Sequence, residues 1–162
     1  MNDAQQSPYV DFYESPIGLF EICATETAIT HVLFVETSDK REIKSSALVK
    51  KCRDQLAEYF QGNRRTFDLP LAPRGTAFQK SVWSELSKIP FGATTSYLEI
   101  GKRIGNTRAV RAIGGANGKN PINVIVPCHR VIGANGTLVG YGGGLWRKQW
   151  LLNHEKSTDC AR

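Results

Sequence analysis

Apolar and polar positions alternate, or aromatic residues recur, over three short segments near the N-terminus, as expected of half-buried strands. The segments are Tyr9–Glu14, Gly18–Ala24 and Ile29–Glu36. The first two are separated by Ser15–Gly18, whose serine, proline and glycine favour a turn. We therefore predict that the chain begins with three short strands, the first two joined by a tight turn.

The period changes to four residues over the next segment, from about Ile43 to Phe60. Leu48, Cys52, Leu56 and Phe60 are each four apart, which places them on one face of an amphipathic helix. The stretch 69–75 then contains two prolines and a glycine, a composition typical of a linker. We predict a first domain of strands and one helix over residues 1–72 and a second domain over residues 73–162.

The second half has the pattern of several helices, so the chain as a whole is predicted to be α+β. Thr76–Gln79 and Ser96–Glu99 both match the capping box that begins a helix. A turn at Gly105–Thr107 separates the second of these helices from another predicted over about Arg108–Asn117. Two short helices joined by a glycine-containing turn form a helix-turn-helix pattern, although many helical hairpins never contact DNA.

The last third combines a predicted buried strand, two glycine-rich loops and a final helix. The β-branched run Ile122–Val126 predicts the strand, which leads directly into Pro127–Ile132. The helix is predicted from Leu145 to about Glu155, with Leu145, Trp146, Trp150 and either Leu151 or Leu152 packed inward. We expect the polar tail after Lys156 to be frayed.

Composition narrows the class of protein. The chain is 41% hydrophobic and 22% charged, which suits a globular core, and it has no apolar run long enough for a transmembrane helix. Its first ten residues lack the pattern of a secretory signal. The four cysteines are scattered without a CxxC pair, so we expect a reduced, cytoplasmic protein with no disulfide framework and no cysteine-rich zinc site.

Charge is distributed unevenly between the two halves. The total is +6, yet residues 1–75 carry −2 and residues 76–162 carry +8. A basic half beside a mildly acidic one is the electrostatic footprint of a nucleic-acid-binding surface. A merely basic surface is the alternative, and charge alone does not decide between them.

Cys128 is the strongest candidate for chemistry. It follows Pro127 at the end of the predicted strand, and His129 and Arg130 beside it would lower a thiol pKa and favour the nucleophilic thiolate. Neighbours on a strand point to opposite faces, so His129 would need a turn or a bridging water to act on the thiol. The alternative is a buried, inert cysteine.

Other sites find less support in the sequence. The glycine-rich stretches match neither a Walker loop nor a dinucleotide fingerprint, and the histidines have no zinc-site spacing. A carboxylate to orient His129 could come from only four acidic residues in this half, among which Glu155 is favoured. The four are Glu85, Glu99, Glu155 and Asp159.

The second half closely resembles the O6-alkylguanine-DNA alkyltransferases, also called methylated-DNA–protein-cysteine methyltransferases. The matching stretches are Gly75–Gln79, Val82-Trp83, Ile89–Gly92, Ser96-Tyr97, Arg108–Ala116, Asn120-Pro121, Ile125–Ile132, Gly140–Leu145 and Lys148–Glu155. The Pro-Cys-His-Arg-Val motif at Pro127–Val131 is highly specific in this setting. The first half matches weakly, mainly at Ser15–Gly18. The resemblance implies a ribonuclease H-like first domain and a winged-helix-like second domain.

The resemblance also implies a reaction, namely direct reversal of DNA alkylation. Cys128 would accept the alkyl group irreversibly from O6 of guanine, and also from O4 of thymine, after the base is flipped out of double-stranded DNA. His129 would take the thiol proton through a water, Glu155 would orient His129, and Asn120 would brace the turn that holds Cys128. No cofactor and no metal are implied, and we expect a monomer acting once on nucleoid or nuclear DNA.

Further residues are implied to bind the base and the DNA. The carbonyl of Val131 would read the guanine edge, Lys148 would stabilise the leaving guanine, and Tyr141 and Gly142 would form the pocket wall. Tyr97 would press on the nucleotide's phosphate, and Arg111 would fill the space that the base leaves. The remaining residues implied to contact DNA through the minor groove are Asn106, Ala109 and Gly114.

Two departures and two alternatives remain. Gly142 stands where many relatives have Ser or Ala, and Asn123 stands where some have Pro. The resemblance implies that both lie on the pocket wall, which predicts a wider pocket. A lesion-binding protein without transfer activity would resemble this family, but it would lack the cysteine at Cys128. A cysteine hydrolase using Cys128 and His129 would need an oxyanion hole and repeated turnover, for which nothing else in the sequence asks.

Overall fold

The computed structural model describes residues 7–37 and 42–160, and these residues form an α+β protein with two compact units. The first unit runs to Arg74 and includes Pro121–Asn123. The second comprises Gly75–Asn120 and the chain from Val124 onward. Within the described ranges, no helix is both long and apolar enough to cross a membrane.

The first unit is a small antiparallel sheet covered by one helix. Strands β1 (Tyr9–Ser15), β2 (Gly18–Ala24) and β3 (Ile29–Val35) lie in the order β1-β2-β3. Ser15 pairs with Gly18 across the predicted turn, where the Ser15 hydroxyl donates to the Gly18 carbonyl at 2.7 Å. The three predicted strands are therefore confirmed, each to within one residue.

Helix α1 (Ala47–Phe60) packs its apolar face against this sheet. Cys52, Leu56 and Phe60 are buried, as expected from the period of four. Leu48 is only half-buried, and the neighbouring Val49 is buried in its place. The helix begins four residues later than the predicted Ile43, because Lys44 exchanges two backbone hydrogen bonds with Val10 of β1 and is therefore extended. Ser46 then caps the helix through its side chain.

The second unit is mainly helical. Its elements are α2 (Ala77–Leu86), β4 (Thr95–Ser96), α3 (Tyr97–Arg103), α4 (Val110–Gly118), β5 (Val131–Ile132) and α5 (Leu145–Cys160). The capping box at Thr76 and Gln79 is confirmed, and β4 pairs with β5 in parallel. Between α3 and α4, Gly105 has a φ of +75°, and a Cβ at Gly101 would lie 2.9 Å from the Asn106 carbonyl. Only glycine permits so tight a turn between these helices.

The predicted strand over Ile122–Val126 is wrong. Ile122 makes only an isolated bridge to Val32 of β3, within the first unit. Two residues later the backbone of Val124 has a φ of +70°, which a β-branched residue rarely adopts and which ends any extended run. The apolar character of the segment reflects its burial in an irregular conformation.

Helix α5 extends to Cys160, beyond the end predicted near Glu155, although the side chain of Cys160 is outside the described residues. Leu145 and Trp146 are 48% and 57% exposed, so the prediction that they pack inward is wrong. The buried stripe of the helix consists instead of Lys148, Leu151 and Glu155, spaced three and four residues apart. Two of these residues are charged. A prediction that places only apolar residues on the buried face of the helix therefore chose the wrong face.

Candidate active site

Cys128 lies at the first position of a short 3₁₀ turn, Cys128–Arg130, and not on a strand. The Cys128 N–H donates to the Val126 carbonyl at 2.8 Å, and the Arg130 N–H donates to the Pro127 carbonyl at 3.0 Å. The alternation of a strand therefore does not separate Cys128 from His129. Cys128 and His129 are consecutive residues of one turn.

The Cys128 thiol is buried, and its side chain is surrounded by polar groups. The residue is 4% exposed. Burial raises the pKa of the thiol, while the side chain of Asn120 and the positive charge of Lys148 act in the opposite direction. The Asn120 amide also donates to the Val126 carbonyl at 2.8 Å, so Asn120 bridges the turn that presents the cysteine.

His129 is completely buried and is held by a carboxylate. Its Nε2 lies 2.7 Å from Oε2 of Glu155, and its Nδ1 has no hydrogen-bond partner among the described residues. Burial lowers the pKa of the imidazole, although the hydrogen bond and charge of Glu155 offset part of that effect. A neutral ring that donates from Nε2–H to Glu155 leaves Nδ1 as a proton acceptor.

Arg130 fixes the same carboxylate from the other side. Its Nε and Nη2 donate to the two oxygens of Glu155 at 2.8 and 3.0 Å, and its Nη1 donates to the Ile89 carbonyl at 2.7 Å. Burial alone would raise the pKa of Glu155, but the hydrogen bonds and charges of His129 and Arg130 hold it well below its usual range. Glu155 is therefore a fixed anion.

Tyr97 and Lys148 meet at one carbonyl of the glycine-rich loop. The Tyr97 hydroxyl donates to the Val139 carbonyl at 3.0 Å. The Lys148 ammonium donates to the same carbonyl at 2.9 Å and to the Gly140 carbonyl at 3.2 Å. Burial raises the pKa of Tyr97 and lowers that of Lys148. A negative charge on Cys128 would raise the pKa of both groups.

Three other predicted pocket residues lie in the same unit. The Val131 N–H donates to the Cys128 carbonyl at the end of the turn. Burial raises the pKa of Tyr141 well above its usual value. Gly142 is exposed, and a Cβ there would lie 3.8 Å from the Gly118 carbonyl, an ordinary contact distance.

The residues predicted to bind DNA cluster on α4 and the turn before it. Arg111, Asn106 and Gly114 are exposed or half-buried there, with Ala109 at the helix N-cap. The side chain of Ala109 cannot cap the helix, so the first N–H groups of α4 have no side-chain acceptor. Gly114 faces the ring of Tyr97, since a Cβ added there would lie 4.0 Å from a ring carbon, and so links this surface to the site of Cys128.

Sequence reasoning missed what two residues of the site do. Arg130 was expected to lower the pKa of the Cys128 thiol, but the groups that act in that direction are Asn120, Lys148 and a backbone N–H, and the Arg130 guanidinium pairs with Glu155. Asn117 is buried on α4, where its amide donates to the Cys128 carbonyl at 3.3 Å. Its signal was a polar residue among the glycines and alanines of that helix.

These groups are of the kinds that chemistry on a cysteine requires. A nucleophilic thiol needs a base and a group that orients the base, and the buried thiol of Cys128 is followed in the chain by an imidazole that a carboxylate holds. Across residues 7–37 and 42–160, no three potential ligands are placed to hold a metal ion. Cys23 and Cys52 are buried in the first unit, and neither they nor Cys128 form a disulfide.

Comparisons with known proteins identify the family to which this class of site belongs. Residues 77–157 match the model for the DNA-binding domain of 6-O-methylguanine DNA methyltransferase, and residues 9–73 match its ribonuclease-like domain. The methylated-DNA–protein-cysteine methyltransferase of Methanosarcina acetivorans is 47% identical over 154 residues, covering 92% of this chain and 99% of that protein. The constitutive enzyme of that name from Bacillus subtilis is 41% identical, covering 91% and 95%.

Solved structures agree with the sequence matches. The O6-methylguanine methyltransferase of Mycobacterium tuberculosis is 44% identical, with a TM-score of 0.83 and 93% of each chain covered. The structure of the Mycobacterium tuberculosis protein in complex with DNA has a TM-score of 0.85 and covers 93% of this chain and 94% of that one. The chain therefore belongs to the 6-O-methylguanine DNA methyltransferase family.

Proposed function

We propose that this protein repairs DNA by transferring the alkyl group of O6-alkylguanine, and of O4-alkylthymine, to Cys128 in a single irreversible turnover. The observation that carries the proposal is a buried cysteine, Cys128, followed directly by the buried His129, which Glu155 holds at 2.7 Å, in a member of this family. Each group has a role in the reaction.

Transfer begins with removal of the thiol proton. His129 accepts it at Nδ1 through a water, and the fixed anion Glu155 stabilises the resulting imidazolium. Because burial raises the pKa of the Cys128 thiol, the resting cysteine is protonated and protected from adventitious alkylation. Lys148 and Asn120 favour the thiolate once the proton has left.

The thiolate then attacks the alkyl carbon in line with the departing oxygen. The new C–S bond forms as the C–O bond breaks, and the electron pair of the C–O bond stays on the guanine. Tyr97 supplies a proton to the leaving base after releasing the Val139 carbonyl, and Lys148 stabilises the negative charge. The product is a thioether, which offers water no good leaving group, so the protein acts once and needs no cofactor.

DNA binding is assigned to α3, the turn and α4, acting as a helix-turn-helix of winged-helix type in the minor groove. The exposed face of α4 carries small residues, with nothing within 4 Å of a methyl group built at Gly115 or Gly118, which permits close approach to the backbone. Its N-terminal N–H groups suit a phosphate, and the +8 charge of residues 76–162 adds attraction that does not depend on sequence.

Base flipping is needed because the buried thiol cannot reach an alkyl group inside the duplex. An O6-alkyl group inside a duplex cannot be approached in line by a buried thiol, so the nucleotide has to leave the stack. Arg111 is exposed on α4 and takes the place of the extruded base, while Tyr97 presses on its phosphate. Val131, Tyr141 and Gly142 then enclose the base beside Cys128.

The remaining proposals concern the whole protein. The first unit serves as a ribonuclease H-like support, and the protein acts as a monomer. Because the acceptor has to be a free thiol, the protein is assigned to a reducing compartment that gives access to DNA, such as the bacterial cytoplasm with its nucleoid.

The test is stoichiometric. The protein is incubated with increasing amounts of a duplex containing O6-methylguanine, and its intact mass is measured. We expect one methyl group per protein molecule, with no further repair once the protein is consumed. Repair of several lesions per molecule, or binding of the duplex without any change in mass, would contradict the proposal; the second result would indicate a lesion-binding protein.

A further inference from the structure

The loop that precedes α5, Val139–Gly144, has a backbone that is costly to order. Four of its six residues are glycine, and Gly140 and Gly144 have φ values of +58° and +99°. Glycine loses more conformational freedom on folding than any other residue. Within the loop, the Gly144 N–H donates to the Tyr141 carbonyl at 2.9 Å. Hydrogen bonds from side chains outside the loop therefore have a large share in keeping it in one conformation.

Three side chains outside the loop bind its carbonyls, at two separate places. Tyr97 and Lys148 both donate to the Val139 carbonyl, at the start of the loop. Arg147 binds near the end of the loop, where its Nη1 donates to the Gly143 carbonyl at 2.7 Å. Two consecutive residues of α5 thus hold the two ends of the loop that leads into this helix.

The side chain of Arg147 is itself oriented by Trp146. The central carbon of the guanidinium lies 4.9 Å from the centroid of the Trp146 ring, within the range of a cation–π contact. The same ring packs on the loop, since a Cβ built at Gly144 would lie 3.4 Å from its Cδ1. Trp146 is 57% exposed, so its place in the structure is to support the arginine and the loop rather than to fill the core.

Arg147 differs from the other two side chains in the proposed reaction. There Tyr97 releases the loop to donate to the leaving base, and Lys148 stabilises the negative charge that develops on it. The hydrogen bonds at the start of the loop are therefore exchanged for contacts with the substrate during transfer. The hydrogen bond to Gly143 takes no part in the chemistry and persists.

We propose that Arg147 is a positioning residue for alkyl transfer, which holds the Gly143 carbonyl throughout the reaction. The inference rests on the proposed function, which assigns the pocket wall to Tyr141 and Gly142. With the end of the loop held, this wall stays against the base while the start of the loop is released. A misplacement of about 1 Å in a site of this kind lowers a rate by as much as about 100-fold. Arg147 thus acts on the reaction through the loop.

The experiment replaces Arg147 with Met, which keeps an unbranched side chain and removes the guanidinium. Single-turnover rates are measured on a duplex containing O6-methylguanine and on free O6-benzylguanine, which involves no contact with DNA. We expect both rates to fall by about 10-fold. The Kd for the duplex and its dependence on salt should be unchanged. Hydrogen exchange over Val139–Gly144, followed by mass spectrometry of peptic peptides, should become faster.

Two further variants keep the result interpretable. Arg64 also donates to a backbone carbonyl, that of Thr66 at 3.0 Å, but lies in the first unit. Arg64→Met makes the same change of charge and should retain both rates and the exchange of the loop. Arg147→Lys keeps a charged donor for Gly143 and should stay within about 3-fold of the wild type on both substrates. It serves also if Arg147→Met does not fold.

The outcomes separate this inference from the proposed function. Wild-type rates and wild-type exchange in Arg147→Met would overturn the inference. A loss confined to the duplex, with weaker binding and a smaller salt dependence, would also overturn it, because that result indicates contact between Arg147 and a phosphate. Absence of transfer from either substrate to the wild type would instead overturn the proposed function itself.

Discussion

Two buried cysteines of this chain, Cys52 in the first unit and Cys128 in the second, have sharply different surroundings. Cys52 packs on the inner face of α1, and burial alone raises its pKa to about 12. Burial also raises the pKa of Cys128, but there Asn120, Lys148 and a backbone N–H act against it. Burial makes both thiols inert at rest, and only Cys128 has groups positioned to stabilise the thiolate.

The comparison shows that depth of burial does not identify a reactive cysteine. What distinguishes Cys128 is a set of polar groups around it: the buried His129, which follows it in the chain, is held by Glu155, and Arg130 clamps Glu155 in turn. Around Cys52 the interior is formed by apolar residues such as Val49 and Leu56. A buried thiol becomes a nucleophile where polar groups in its surroundings are paired with one another and directed at it.

Replacing each of the two cysteines in turn is expected to give the largest difference in the rate of alkyl transfer. Cys128→Ser should abolish alkyl transfer, a loss of more than about 1,000-fold, because a hydroxyl is far less nucleophilic than a thiolate at neutral pH. DNA binding should persist. The matched control, Cys52→Ala, should transfer at the wild-type rate while losing on the order of 1 kcal/mol of unfolding free energy to a small cavity. Transfer by Cys128→Ser, or its loss in Cys52→Ala, would abolish the distinction.

The clamp on Glu155 gives the next largest effect. Arg130→Met leaves a buried carboxylate with one partner fewer and should lower the unfolding free energy by about 3–5 kcal/mol. Glu155→Gln removes the anion that orients His129 and should slow transfer by roughly 100-fold. Denaturant unfolding and single-turnover rates measure the two effects. Wild-type stability in Arg130→Met would show that the clamp has no structural role.

Low pH should destabilise the folded protein through Glu155 and His129. The folded protein depresses the pKa values of both Glu155 and His129, so below their ordinary values of 4.5 and 6.5 the unfolded chain takes up protons first. Their contribution to stability is therefore complete above these values and is lost as the pH falls below them, towards the depressed pKa values of the folded protein. Tm measured from pH 7 to pH 3 should fall less steeply below pH 4.5 in Glu155→Gln than in Cys52→Ala. Parallel curves would contradict the account.

Replacing Arg111 separates the contribution of the DNA-binding surface from that of the buried active site. Arg111→Ala should slow repair of O6-methylguanine in a duplex by about 10-fold, because the extruded base is no longer replaced in the stack. Reaction with free O6-benzylguanine requires no flipping and should be nearly unchanged. Both rates come from single-turnover mixing experiments, and equal losses on the two substrates would refute the role assigned to Arg111.

Gly142 should give the smallest effect and sharpen the description of the pocket wall. Gly142→Ser adds a side chain whose Cβ has ordinary contact distance to the Gly118 carbonyl, so the fold should tolerate it. We expect transfer of a benzyl group to slow by about 3-fold relative to transfer of a methyl group, because the added atoms narrow the pocket. A faster benzyl reaction would contradict this assignment of the wall.

The sequence predicts much of the architecture where local signals agree. Three strands, the period of α1 and the capping box of α2 follow from side-chain pattern and turn chemistry, and the structure has all of them. The errors occur in the segments that form the candidate active site, where backbone and burial do not follow the apolar pattern. Val124 breaks an apolar run with a positive φ, and α5 buries Lys148 and Glu155 while exposing Trp146.

The candidate site could be predicted only in part for the same reason. Cys128 and His129 are adjacent in sequence, and their motif could be recognised. The clamp of Arg130 and the amide of Asn117 act through contacts with α5 and with a backbone carbonyl, and no local pattern carries them. The pairing of β4 with β5, which anchors the end of the 3₁₀ turn, joins segments of two residues each, too short for any periodicity.

Peptide mapping after repair tests the central claim, that Cys128 and no other cysteine is the acceptor. The wild type is incubated with a duplex carrying deuterium-labelled O6-methylguanine and digested with trypsin, which releases the peptide Asn120–Arg130 with Cys128 as its only cysteine. We predict that the labelled methyl group is found quantitatively on this peptide and on none that contains Cys23, Cys52 or Cys160. Label on another cysteine, or an unlabelled Asn120–Arg130 peptide after complete repair, would contradict the account.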